Sequence, residues 1–429
     1  MLDRLRPNLH DSLDVMTASE SSSSTPDLTA SAGRSAPSPT VAPEDISQQA
    51  RLHQLPPHVP KPRGPGLMIL GIIGVIALSF VMLFVVVYVI SGIGTDAFAL
   101  GGVLAVVPLA VVFFAVRWID RWEPEPRLAV VFAFLWGAGV AVLLALIVGA
   151  EIDNVIASLG GPGPAYEFFA AAIQAPVVEE AGKALGILVI FWVARRHFDG
   201  PVDGLVYAAW IAGGFAFTEN ILYFGTELIT LENGGAGLLQ MFLVRGLMSP
   251  FAHVMFTACA GIALGFAVRS KRSSSGVWIF AGGLALAIAL HALWNGALFF
   301  VSDFFGYYAI VQLPLFVVAL VIVAYLRRQE ERLTFVRLSE YARAGWFNPD
   351  EVVVLATAGG RRQALAWAAQ HNKRATMKVY IQEATRLAFA RQRIITGRDQ
   401  IGAIADEAVL LGAIVEARHA LTGSPHPPR

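Results

Sequence analysis

The 429-residue sequence is 55% hydrophobic and only 15% charged, with a mean hydropathy of +0.59. Soluble domains carry about 25% charged residues, so this composition excludes an ordinary soluble globular protein and indicates a polytopic membrane protein. Thirty-two basic residues balance thirty-two acidic ones, which leaves no electrostatic footprint for nucleic acid. The single cysteine, Cys259, excludes an intramolecular disulfide and a cysteine-based zinc site.

Residues 1–66 are rich in Ser, Pro, Thr and Ala, as in Ser21-Ser22-Ser23-Ser24-Thr25-Pro26. They have no apolar periodicity and are expected to be disordered, because they cannot bury enough surface to offset the entropy of ordering. No apolar core follows the early arginines, so the segment does not read as a cleaved signal peptide. Residues 67–326 hold eight apolar runs, near Leu67–Ile90, Ala97–Val116, Leu128–Val148, Phe168–Ala194, Leu205–Phe224, Leu238–Val268, Val277–Val301 and Tyr308–Tyr325. Each is long enough to cross about 30 Å of hydrocarbon as a helix. The sixth is over-long and could tilt or begin as an interfacial helix.

Positive charges set the expected orientation. Lys61 and Arg63 precede the first run; Arg117, Arg121 and Arg127 join the second and third. Arg195 and Arg196 follow the fourth, Arg269, Lys271 and Arg272 join the sixth and seventh, and Arg327 and Arg328 follow the eighth. The alternate loops 91–96, 151–167 and 225–237 contain no Lys or Arg. The positive-inside rule then places both termini in the cytoplasm of a multi-pass plasma-membrane protein. Residues 327–429 read as a small helical cytoplasmic region that could lie against anionic headgroups. Asn348-Pro349-Asp350-Glu351 opens one short helix to about Leu355, with further helical runs over Arg361–Phe389, broken or not near Asn372, and over Asp399–Ala420. The expected architecture is all-α.

The fourth run contains Pro176-Val-Val-Glu179-Glu180-Ala-Gly-Lys183. A charged residue at the centre of a membrane helix costs about 2.5–3.5 kcal/mol on insertion scales, so three cost on the order of 8–10 kcal/mol unless partnered. The partners are sought in the next three runs: Glu219 and Asn220 in the fifth, Arg245 and His253 in the sixth, His291 and Asn295 in the seventh. Counted from the cytoplasmic ends, Glu179 is sixteen residues from Arg195, Glu219 sixteen from Asp203, His253 sixteen from Arg269 and His291 fifteen from Gly276. At 1.5 Å per residue all four lie at one level, roughly 23 Å deep. Successive runs are antiparallel, so a shared depth is not a trivial result of spacing; it implies one site. Lys183 lies one turn from both Glu179 and Glu180 and can neutralise either. Pro176 and Pro250 each precede a candidate residue by three positions and free a backbone carbonyl, while Gly213 and Gly214 permit close helix approach beside Glu219.

No GxSxG elbow is present, so covalent catalysis lacks a nucleophile. Carboxylates and histidines suit activation of water, with histidine and asparagine available to stabilise an oxyanion. Glu and His are equally ligands for zinc, which would activate the water instead. The same acidic residues would also serve an ion- or proton-coupled transporter, although the polar residues cluster in one half of the chain and no broken-helix pattern repeats.

Six stretches together resemble the PrsW family of intramembrane proteases, distantly similar to the type II prenyl-protein endopeptidases: Asp120-Arg-Trp-Glu-Pro-Glu-Pro126, Pro176–Lys183, Asp203-Gly-Leu-Val-Tyr207, Gly214-Phe-Ala-Phe-Thr-Glu-Asn220, Ser249-Pro-Phe-Ala-His253 and His291-Ala-Leu-Trp-Asn295. The prenyl-protein relatives carry an arginine one position beyond the place of Lys183, which favours PrsW. The resemblance implies hydrolysis of a peptide bond in a single-pass membrane protein such as an anti-sigma factor. It implies Glu179 or Glu180 as general base, His253 and His291 as oxyanion donors or metal ligands, and Glu219, Asn295, Asn220 and Lys183 in support. A divalent metal such as zinc would take Glu179, His253 and His291.

Overall fold

The structure is a computed structural model. It describes residues 66–163, 165–194, 198–230, 235–269, 273–397 and 400–423. The N-terminal segment expected to be disordered lies outside these, apart from Gly66, as do Arg195, Arg196, Lys271 and Arg272. Every regular element among the described residues is a helix: α1 (Gly66–Ile93), α2 (Thr95–Ile119), α3 (Arg127–Ser158), α4 (166–193), α5 (Pro201–Thr230), α6 (236–248), α7 (Ala252–Arg269), α8 (Ser273–Ala297) and α9 (Phe304–Arg343). Four shorter helices follow, α10 (Pro349–Ala356), α11 (Ala358–Gln370), α12 (Arg374–Thr396) and α13 (Gln400–Thr422). The described chain forms two compact units that divide between Arg328 and Gln329.

Among the described residues, seven segments are long and apolar enough to cross a membrane: α1, α2, α3, α5, α6 with α7, α8 and α9. The eighth expected crossing, α4, is helical along 28 residues but carries Glu179, Glu180 and Lys183, too much charge to qualify on apolarity alone. The structure refines one expectation and corrects another. The sixth run is two helices, α6 and α7. It breaks at Ser249-Pro250-Phe251, because Pro250 has no backbone N–H to continue α6, and the Ser249 N–H and hydroxyl both turn back to the Val244 carbonyl. The eighth run does not end near Tyr325. Its Arg-, Gln-, Glu- and Leu-rich continuation has high helix propensity and runs unbroken to Arg343, with a left-handed glycine, Gly345 (φ +80°), just beyond.

The bundle is organised on α5. Its apolar window is 72% buried, against 11% for α1, α8 and α9. It packs on α2, α3 and α7. With no hydrophobic drive between helices in lipid, close packing depends on small residues at the crossings. A Cβ on Gly204 would stand 2.0 Å from the Gly261 carbonyl oxygen, and one on Gly261 2.1 Å from that of Gly204. The backbones of α5 and α7 therefore touch. Gly214 of α5 meets the Phe134 carbonyl of α3 in the same way, at 2.1 Å, which is the close approach expected beside Glu219. We expect Gly261→Leu to lower unfolding stability by about 3 kcal/mol or more, read as a reduced melting temperature in detergent. An unchanged melting temperature would show that these helices do not meet there.

The second unit is built from the end of α9 and α10–α13. Leu338, Tyr341, Leu355, Leu387 and Ile414 are fully or almost fully buried at its centre. Asn348 and Glu351 close the capping box of α10. Glu351 also takes the buried Arg418 guanidinium at 3.0 Å and the Tyr380 hydroxyl. Burial and the Glu351 charge push the Tyr380 hydroxyl well above its ordinary range. The chain breaks between α11 and α12 at Asn372, whose φ of +56° is left-handed.

Candidate active site

Helix α4 reaches the interior through a π-helical turn, Ala170–Gln174, just ahead of Pro176. A wider turn absorbs the missing N–H and clash of a proline without breaking the helix. Glu179, Glu180 and Lys183 then face inward, all buried. Trp136 of α3 fills the space over Gly186 and donates from its indole to the Gly182 carbonyl at 3.0 Å, which fixes the rotation of α4. Thr218 of α5 donates to the Ala138 carbonyl at 2.9 Å, within the π-helical segment Trp136–Ala141.

Lys183 is completely buried. Its ammonium lies 2.8 Å from Glu180 Oε1, 3.3 Å from Glu179 Oε2 and 3.2 Å from His253 Nδ1, with the Phe215 ring 3.8 Å below. Glu180 is saturated. Oε1 also faces His291 Nδ1 at 3.1 Å, and Oε2 accepts the Thr257 hydroxyl at 2.7 Å. Glu219 Oε2 meets His253 Nε2 at 2.7 Å and the Arg245 guanidinium at 2.5 Å. Arg245 also donates to Asn220 Oδ1 at 3.0 Å and lies over the Tyr223 ring at 4.0 Å. Each imidazole thus has one nitrogen against a carboxylate, which only accepts, so that nitrogen carries the proton. The remaining lone pairs are on His253 Nδ1 and His291 Nε2. The latter is 3.9 Å from Glu179 Oε2.

Glu179 differs from its neighbour. Its Oε1 makes no hydrogen bond among the described residues. Glu179, His253 and His291 each offer a ligand atom within 4.8 Å of the others. Two imidazoles and a carboxylate are a donor set that suits zinc, and carboxylates behind both imidazoles are the usual outer support of such a site. The residues present fit a divalent metal.

Four expected helices thus bring Glu179, Glu180, Glu219, His253 and His291 together, with Lys183 between them. Asn295 is placed otherwise. Its amide donates at 2.9 Å to the Ala171 carbonyl, in the π-helical turn of α4, so it pins α8 to α4 instead of reaching the carboxylates. Sequence reasoning left Arg245 without a role and missed three contributors: Thr257, Phe215 and Phe256, the last stacked on His291 at 5.0 Å. Helical spacing was the available signal for two of them, since Thr257 lies one turn after His253 and Phe215 one turn before Glu219. The stretches 120–126 and 203–207 join each other. Tyr207 donates to Glu125 at 2.5 Å, and the Glu125 N–H bonds to Asp120. Burial and the Asp203 charge push the Glu125 carboxyl well above the carboxylate range, and burial lifts Asp120 to about 6.

A cluster of this kind, among helices apolar enough to cross a membrane, has the groups that activate water. A family model described as "PrsW family intramembrane metalloprotease" matches residues 125–323, a span that takes in every candidate residue. The chain is similar to proteins named Protease PrsW. One, from Clostridioides difficile, is 27% identical over 51% of this chain and 85% of that protein. Another, from Geobacillus kaustophilus, is 30% identical over 44% and 75%; a third, from Bacillus subtilis, is 30% identical over 46% and 80%. No solved structure matches the chain significantly. The chain belongs to the PrsW family: it is a multi-pass membrane peptidase, and not the transporter its carboxylates would also have suited.

Proposed function

We propose that this peptidase cleaves single-pass membrane proteins of the anti-sigma-factor type, at a site formed by Glu179, His253 and His291 with a divalent metal, zinc the first candidate. The observation that carries this reading is the mutual 4.8 Å approach of one carboxylate and two imidazoles from three different helices. Held there, the metal would supply Lewis-acid polarisation of the scissile carbonyl and of the attacking water.

The protein's own residues do the rest. Glu179 takes the proton of the water on its open Oε1 and returns it to the leaving amine. Glu180 and Glu219 hold His291 and His253 in the tautomers that present Nε2 and Nδ1. Arg245 fixes Glu219 in turn, and Asn295 sets the spacing between α8 and α4. Substrate choice follows from the family resemblance. The distribution of Lys and Arg supports an orientation with both termini in the cytoplasm, and the plasma membrane as the site of action. The domain reading is the catalytic bundle over 67–326 and a cytoplasmic helical region over 327–429.

The test uses full-length protein in detergent with a panel of fluorescently labelled single-pass peptides. Cleavage is expected, and His253→Ala is expected to reduce it by about 10²-fold or more while the melting profile stays cooperative. Cleavage that survives His253→Ala unchanged would remove His253 from the site. No cleavage of any peptide would refute the substrate class.

A further inference from the structure

We infer that Lys183 is a built-in competitor for the metal, so that loading the site is an exchange of one cation for another; the inference rests on the metal site proposed above. The ammonium lies 3.2 Å from His253 Nδ1 and 3.3 Å from Glu179 Oε2. The imidazole nitrogen is the one His253 would offer a metal, and the carboxylate belongs to the same ligand set. The carboxylate oxygen has lone pairs for two partners, but the imidazole nitrogen has one. His253 cannot offer its other nitrogen, because Nε2 is committed to Glu219 at 2.7 Å, and Glu219 is itself held by Arg245. A metal at this site and the ammonium in its present position therefore exclude each other.

The structure also shows where the displaced ammonium can go. Glu180 Oε1 at 2.8 Å is its shortest contact, and the Phe215 face lies 3.8 Å from it. Neither belongs to the proposed ligand set. Lys183 can give up His253 and stay paired with Glu180, so the exchange costs one hydrogen bond and the mutual repulsion of two neighbouring cations. That repulsion is strong in a buried site. Lys183 thus sets the affinity for metal downward, opposite to the usual effect of an outer group that orients a ligand. It is a positioning residue for the two glutamates and a gate on loading.

The experiment measures zinc affinity of the full-length protein, in detergent at fixed pH, by competition with a chromophoric chelator. Lys183→Met, which keeps the length and removes the charge, is expected to bind zinc about tenfold or more tightly than the native protein. Lys183→Arg, which keeps the cation, is expected to bind no more tightly than native. His291→Ala serves as the control for the metal site itself. If native protein binds zinc, His291→Ala does not, and Lys183→Met binds no tighter than native, the competition is refuted while the metal site stands. If none of the proteins binds zinc, the metal reading fails and the inference with it. Should Lys183→Met fail to fold without metal, zinc present throughout purification is expected to restore a cooperative melt, and failure to restore it would refute the exchange.

Discussion

Glu179→Gln is expected to lower peptide cleavage by about 10³-fold, whereas Glu180→Gln is expected to cost stability first and activity second. The two carboxylates are adjacent in sequence and alike in chemistry, yet the structure gives them different work. Glu180 spends both oxygens on Lys183, His291 and Thr257. Its amide replacement keeps the shape but turns one acceptor into a donor aimed at other donors. A buried network broken in this way loses about 3–5 kcal/mol. Glu179 has one oxygen uncommitted and leaves fewer partners stranded, so its glutamine variant should melt close to native. The measurement is a pair: initial cleavage rate and melting temperature for each variant. Equal activity losses with equal melting temperatures would erase the distinction drawn here.

Removing divalent metal is the second large effect. A zinc chelator such as 1,10-phenanthroline should abolish cleavage, to below about 1% of the starting rate, and readdition of zinc in excess should restore it. Elemental analysis of the purified protein should find about one metal per chain in the native form and less in His253→Ala and His291→Ala, since each removes one of three ligands. Undiminished cleavage in a preparation shown to be free of metal would mean that Glu179 and the two imidazoles work alone.

Much of this site could be read from the chain because lipid makes polar residues expensive. In a soluble protein, Glu219 or His291 would not stand out; in a run of Ala, Leu, Ile and Phe each demands a partner, and a common helical rise puts those partners at one depth. The tautomers and the division of labour between Glu179 and Glu180 were not legible, because they depend on which side chains arrive from α5, α7 and α8. Asn295 shows the limit of periodicity. It shares a face with His291, one turn on, but that extra turn carries it to the Ala171 carbonyl. The run of α9 to Arg343 was missed for a related reason: hydropathy marks the extent of apolar sequence, not where a helix stops.

The long-range pairs have a further consequence, for biosynthesis. Lys183 and His253 are 70 residues apart, Glu180 and Thr257 are 77, and Glu180 and His291 are 111. At roughly 5–20 residues per second, α4 leaves the ribosome several seconds before the helices that satisfy it. In that interval its only charged partner of opposite sign is its own lysine, one turn away. One ammonium cannot occupy every oxygen of two carboxylates, and the Thr257 hydroxyl and His291 imidazole that complete Glu180 arrive only with α7 and α8. Until then the partner that α4 carries with it is Lys183, one turn from both glutamates.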